Sequence, residues 1–200
     1  MTQHSPEESI RSRKAYLRSA ILKERKSLDP SEVARLSDAI CQSFLDTDEY
    51  RNSSTILLYK AYNNEVDTDM IFERAILDKK RVFYPLVKMT GEEPDMFFYR
   101  INDLSRLKEG YKGIMEPDPL TAGGTLAETA DICVTPGAVF DGKCHRIGYG
   151  RAFYDRFLRL NEPRIVIGLA YDLQIADEFE TEEMDRPVDM VITESRIYRR

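Results

Sequence analysis

Residues 136–158, PGAVFDGKCHRIGYGRAFYDRFL, hold the densest set of groups able to do chemistry. Four glycines, Gly137, Gly142, Gly148 and Gly150, let backbone N–H groups approach a ligand closely. Lys143, Arg146 and Arg151 add cations to a chain whose net charge is −6. The preceding DICVTP reads as a buried strand, and a helix is predicted from about Gly150 to Leu160. A helix N-terminus carries partial positive charge, so the segment reads as a phosphate cradle. A glycine-rich turn with solvated arginines is the alternative reading. Gly137-x4-Gly142-Lys143 is nearly a P-loop, but Cys144 stands where Mg²⁺ needs a Ser or Thr. Gly148-x-Gly150 is followed by Phe153 where a dinucleotide fingerprint has its third glycine.

Further groups could join this cradle. Lys14 and Arg18 lie one helical turn apart on a basic N-terminal segment and share a face. Asp155 sits just inside the helix after the loop, and Asp185 and Asp189 flank Arg186-Pro187. Carboxylates beside phosphate suit Mg²⁺, though each also reads as a cap or surface charge. Glu65 follows the first strand, at the end of a sheet where open α/β proteins place ligands. Tyr149, Phe153 and Tyr154 could stack on a flat heterocycle or fill core. Cys144 and His145 adjoin without a third orienting group, a weak basis for a nucleophile.

These residues need elements to position them. The first eight residues read as a loose polar tail, and residues 9–200 as one domain. Helices are predicted from Ser9 to Leu28 and from about Ser31 to Leu45, with Asp29 or Ser31 as the cap between them. TILLYKAY, RVFYPLV, DMFFYRI, DICVTP, RIVIGLAY and MVITE read as strands, and DTDMIFERAILDKK as a helix. Residues 102–130 read as turns. Strands alternating with helices predict an α/β sheet that is parallel at least in part. The acidic balance argues against a nucleic-acid partner, because phosphate-backbone binding needs a basic surface. No stretch is apolar for the roughly 18 residues of a membrane span. Three cysteines without a CxxC pair, and only two histidines, argue against a zinc cage and for a reducing, cytoplasmic setting.

RIGYGRAFYDRFL resembles the signature of the 5-formyltetrahydrofolate cyclo-ligase family, also called methenyltetrahydrofolate synthetases, whose usual form is G-x-R-[LI]-G-x-G-x-G-[YF]-Y-D-R-[FY]-L. KAYLR, NNEVDT, RVFYPLV, DICVTPGAVFD, IGLAYDLQ, MDRPVD and VITE follow in the family's order, so the resemblance runs from about Lys14 to Glu194. It implies a single three-layer α/β/α domain with a mostly parallel sheet, Rossmann-like without a dinucleotide fingerprint. It implies that 5-formyltetrahydrofolate is cyclised to 5,10-methenyltetrahydrofolate with ATP as co-substrate and Mg²⁺ as metal.

By the same resemblance Lys14, Arg18, Arg146, Ile147, Gly148, Tyr149, Gly150, Arg151, Ala152, Phe153 and Tyr154 bind ATP. Arg146 and Arg151 carry catalysis. Glu65, Tyr149, Gly150, Phe153 and Tyr154 bind a reduced folate that can be polyglutamylated, and Asp155 and Asp185 hold the metal. The implied protein is a monomer or weak homo-oligomer. Cys144 and Ala152 replace signature glycines. If either backbone takes positive φ, the side chain costs about 1 kcal/mol or more. Two other readings of the same residues are a non-catalytic folate- or nucleotide-binding paralogue and a phosphotransferase with another acceptor.

Overall fold

The computed structural model describes residues 6–92, 94–125 and 129–200, with the side chains of residues 6–8 left aside. Two helices come first, α1 (Pro6–Lys26) and α2 (Pro30–Leu45). The first begins three residues earlier than its periodicity predicts, so Pro6–Glu8 are helix rather than tail; residues 1–5 lie outside the described residues. Between the helices Asp29, not Ser31, is the cap. Its Oδ1 accepts from the Ser31 and Glu32 N–H groups at 2.9 and 3.0 Å, with Pro30 in the first turn. A short α3 (Asp48–Arg51) leads into β1 (Thr55–Leu57), then α4 (Asp69–Leu77), β2 (Arg81–Met89) and β3 (Pro94–Arg100).

Residues 102–130 are not all turn. β4 (Leu107–Glu109) and β5 (Met115–Pro117) form an antiparallel hairpin. The chain continues through β6 (Ile132–Thr135), β7 (Val139–Asp141), β8 (Arg146–Ile147), α5 (Phe153–Leu160) and β9 (Ile165–Leu169). It closes with β10 (Ile175–Ala176), β11 (Met190–Ile192) and β12 (Ile197–Arg199).

Seven strands form the main sheet in the order β12-β11-β9-β6-β1-β2-β3. The five inner strands are parallel, and β12 and β3 close the edges antiparallel. The strand period of two sends alternate residues to opposite faces. Ile56 and Leu58 enter a core with Leu36, Ile40 and Phe44 of α2 and Ile71 and Ala75 of α4. Leu57 enters the other core with Phe157 and Leu158 of α5. The result is the three-layer α/β/α architecture, with a mostly parallel sheet.

One helix departs from that plan. α1 packs Leu17, Ile21 and Leu22 on Ala138, Val139 and Ile147 of a second, three-stranded sheet ordered β10-β7-β8. This sheet carries the glycine-rich segment. At its turn, Asp141 is fully buried and accepts from the Lys143 and His145 N–H groups at 3.0 and 2.9 Å. Cys144 within that turn has φ of 65°, and Ala152, just before α5, has φ of 50°. Both residues that replace signature glycines therefore sit in the left-handed region.

The two positions differ in what glycine would change. Ala152 is exposed, so its methyl group packs against little. Ala152→Gly relieves a left-handed alanine, and after glycine's extra freedom in the unfolded chain the net gain is about 0.5 kcal/mol or more. That corresponds to a Tm rise of about 1–2 °C for a chain of this size. Cys144 is fully buried, so Cys144→Gly trades the same relief against lost packing and raises Tm less. Calorimetry on the two variants checks this, and a lower Tm for Ala152→Gly contradicts it.

Candidate active site

In the main sheet β1 pairs with β2 on one side and β6 on the other, so the winding direction changes between β1 and β6. A crevice beyond the carboxyl ends of parallel strands at such a point is where open α/β sheets receive ligands. A pocket of about 290 Å³ lies there. Tyr59, Lys60 and Glu65 enter it from the chain after β1, and Pro136 from the chain after β6. The loop before α5 supplies the facing wall.

Arg146 is the centre of that wall. The β7–β8 pairing, Phe140 opposite Arg146, turns its side chain inward, and only 4% of the residue is exposed. Its guanidinium donates to Asp155 Oδ1 at 2.7 Å and to the Pro136 carbonyl at 3.4 Å. It also lies 5.6 Å from the centre of the Tyr154 ring. A Cβ on Gly148 would come within 3.1 Å of the Arg146 guanidinium, a tight contact that would press the guanidinium aside. Asp155 Oδ1 further accepts from the Arg186 N–H at 3.3 Å. The Arg146 Nε and the Tyr154 hydroxyl are buried without a hydrogen-bond partner among the described residues. Both residues line the pocket.

The two predicted cations of α1 are near this wall but outside the pocket lining. Arg18 Nε donates to the Gly148 carbonyl at 2.7 Å. Lys14, 7% exposed, donates to Glu182 at 2.8 Å and to both Asp185 oxygens at 2.6 and 2.8 Å. Lys14 and the neighbouring Arg11 hold the Glu182 carboxyl below its usual range. Gly150 also lies outside the lining, and Ile147 turns its side chain into the core with α1. Gly148, Tyr149, Arg151, Ala152, Phe153 and Tyr154 line the pocket, as do Glu65 and Asp155. Asp185 is held by Lys14 instead. Among the described residues no group of three or more His, Cys, Asp or Glu side chains forms a metal cage.

Glu65 is buried on the floor. One oxygen accepts from the Tyr62 N–H at 2.9 Å. Burial pushes its carboxyl up, opposed by the nearby Tyr149 hydroxyl and by the charge of Arg25. The opposite half of the pocket is apolar, with Pro85, Val87, Met96 and Ile114. Tyr111, from the β4–β5 connection, meets Phe153 edge to face at 5.9 Å. The Arg146 wall is thus cationic, and the facing side is mostly apolar and ring-edged, with Lys112 and Glu116 of the same hairpin also in the lining.

Sequence reasoning missed most of the lining outside the glycine-rich loop, including the charged groups Arg25, Lys60, Lys112 and Glu116. Lys112 and Glu116 come from the hairpin in the segment read as turns. Arg25 was lost among the cations of a basic helix, although it lies eleven residues after Lys14 and so nearly on the same face as Lys14 and Arg18. Two other sequence candidates take structural places. Lys143 pairs with Glu178 on the surface at 2.6 Å, which is no P-loop lysine. The Cys144 thiol is buried and pushed up, which leaves it inert as a nucleophile.

Fold and site together define an α/β protein with a cation-walled pocket at the switch point of a parallel sheet. A family model described as the 5-formyltetrahydrofolate cyclo-ligase family matches residues 10–194. A 5-formyltetrahydrofolate cyclo-ligase of Haemophilus influenzae is 28% identical over 178 residues, covering 88% of this chain and 95% of that protein. One from Mycoplasma genitalium is 30% identical over 181 residues, covering 90% of this chain and 96% of its own length. The solved 5,10-methenyltetrahydrofolate synthetase of Aquifex aeolicus is 29% identical with a TM-score of 0.80, covering 93% of this chain and 92% of that one. The chain belongs to the 5-formyltetrahydrofolate cyclo-ligase family.

The Arg146–Asp155 pair predicts an asymmetric response to mutation. Asp155→Ala strands a buried guanidinium and costs about 3 kcal/mol or more. Arg146→Ala costs less, because Asp155 keeps the Arg186 N–H and is 16% exposed at its side chain. The double variant is more stable than the sum of the two losses by roughly 1–3 kcal/mol. Denaturant unfolding of the four proteins measures this, and strict additivity contradicts the pairing.

Proposed function

We propose that the chain catalyses the ATP-dependent cyclisation of 5-formyltetrahydrofolate to 5,10-methenyltetrahydrofolate, releasing ADP and phosphate. The observation that carries this reading is a single pocket joining a cationic, glycine-lined wall to an apolar slot with a buried carboxylate. A generic phosphotransferase needs the first half; a pterin needs both.

In this reading the ATP phosphates lie along Arg146–Tyr154, with Lys14 and Arg18 supporting them from α1. The formyl oxygen attacks the γ-phosphorus and ADP leaves. N10 of the folate then attacks the activated formyl carbon, and the ring closes as phosphate departs. An amide-type oxygen is a poor nucleophile, so positioning and charge stabilisation supply most of the rate. Arg146 and Arg151 neutralise charge growing on the transferred phosphoryl group. Glu65 accepts from the N–H edge of the pterin, while Tyr149, Phe153 and Tyr154 bound its ring.

Asp155 fits a Mg²⁺ ligand, since its Oδ2 makes no hydrogen bond among the described residues and its side chain lines the pocket. Asp185 joins it once Lys14 transfers from that carboxylate to phosphate. Asp155, with Asp185, would hold the ion there, and it would supply positive charge against the ATP phosphates. Three cysteines, all buried and unpaired, fit the cytoplasm.

With Mg-ATP and 5-formyltetrahydrofolate, the near-ultraviolet absorbance of the methenyl product rises, and without ATP it stays flat. Arg151 is exposed, so Arg151→Ala lowers kcat by about 10²-fold or more with Tm unchanged. Lys14→Met raises KM for ATP more than KM for folate. An unchanged kcat for Arg151→Ala removes it from the mechanism, and no ATP-dependent absorbance from the native chain removes the function.

A further inference from the structure

Arg25 has no role in the reading above, yet it is one of the most deeply buried cations of the molecule. It lies in the last turn of α1, only 2% exposed, and lines the pocket floor. Its Nη1 donates to the Tyr149 hydroxyl at 2.7 Å and, weakly, to the Gly137 carbonyl at 3.4 Å. Its guanidinium carbon is 5.5 Å from the Tyr149 ring centre. Its Nε is buried with no hydrogen-bond partner among the described residues. A buried arginine held this loosely by neutral groups needs a compensating charge.

Glu65 is the carboxylate placed to provide it. Tyr149 acts on both: its hydroxyl accepts from Arg25 and donates to the Gly137 carbonyl at 3.2 Å, and it lowers the Glu65 carboxyl against the effect of burial. Of the other pocket cations, Lys60 pairs with Asp69 and Arg146 with Asp155, Lys112 lies over the Tyr111 ring, and Arg151 is exposed to solvent. The remaining titratable groups that act on Glu65 or feel it are the phenols of Tyr59, Tyr149 and Tyr154. Burial pushes all three up, so they stay neutral across the working range. Arg25 is thus the cation that opposes the burial of Glu65.

We propose that Arg25 is a positioning residue for the folate half of the pocket, supplying the counter-charge of Glu65 and fixing Tyr149 between the two. The inference rests on the proposed cyclo-ligase reaction and adds a residue to it. Glu65 then meets the pterin as a hydrogen-bond acceptor, and the hydroxyl of Tyr149 is held back from the entering ring. The direction of the pH effect follows. Burial raises the Glu65 carboxyl and Arg25 lowers it. Removing Arg25 therefore lets Glu65 take up a proton at higher pH, and an acceptor becomes a donor facing N–H groups.

The test is KM for 5-formyltetrahydrofolate and for ATP as a function of pH, in the native chain, Arg25→Met, Arg25→Lys and Glu65→Gln. Methionine keeps the length of the stem without its charge. In Arg25→Met the folate KM begins to rise, on lowering pH, about one pH unit or more above the native chain, and near that pH it is about tenfold higher. KM for ATP moves little. Arg25→Lys keeps the native pH profile, and Glu65→Gln abolishes the pH dependence altogether.

A folate KM raised by one factor at every pH, or a matching rise in KM for ATP, makes Arg25 a packing residue and overturns the proposal. If Arg25→Met does not fold, Arg25→Lys decides alone: a native profile supports the assignment and a displaced one contradicts it. An inactive native chain removes the cyclo-ligase reading and this inference with it. An active native chain with an unmoved Arg25→Met profile removes only the inference.

Discussion

The buried pair of Arg146 and Asp155 is the interaction on which the site depends. It ties the end of β6, the turn after β8 and the first turn of α5 to one guanidinium. A charge so far from water is tolerable only when its hydrogen bonds are met and a counter-charge is close. Here one Asp155 oxygen and one carbonyl meet part of the demand, and Nε is left unmet. The same guanidinium packs tightly on Gly148, where a Cβ would meet it at 3.1 Å. The shape of the loop and the charge it offers are therefore one feature.

That constraint explains why so small an α/β protein builds a second sheet. The β10-β7-β8 sheet aims Arg146 at the end of β6, and α1 covers it with Leu17, Ile21 and Leu22. Docking α1 there brings Lys14, Arg18 and Arg25 along one helix face to three separate tasks. Lys14 stands among Asp185 and Glu182, Arg18 holds the loop at Gly148, and Arg25 enters the pocket floor. One helix thereby links the Arg146 wall of the pocket to Glu65.

Much of this was legible in the sequence where local chemistry decides structure. The strand runs, α2 with its Asp29 cap and the glycine-rich loop each carry their signal in a few neighbouring residues. Glu65 and Asp155 were visible because they follow a strand and open a helix. What escaped depends on distant partners. β7, β8 and β10 are two or three residues long and exist by pairing, not propensity. The β4–β5 hairpin has only Leu107 buried in its first strand, too little alternation to read. Arg25 becomes a buried floor residue only when α1 docks. Ala152 could equally have been a first-turn alanine, and its left-handed φ appears only with the fold.

The central claim is that the pocket brings two substrates together so that a phosphoryl group passes from ATP to the formyl oxygen. Substrate carrying a heavy oxygen isotope in its formyl group tests it directly, with mass spectrometry of the released phosphate. The account predicts one heavy oxygen in each phosphate formed, because the oxygen that attacks phosphorus leaves with it. Unlabelled phosphate alongside methenyl product would mean that the formyl oxygen departs by another route, and the phosphoryl-transfer account would be wrong.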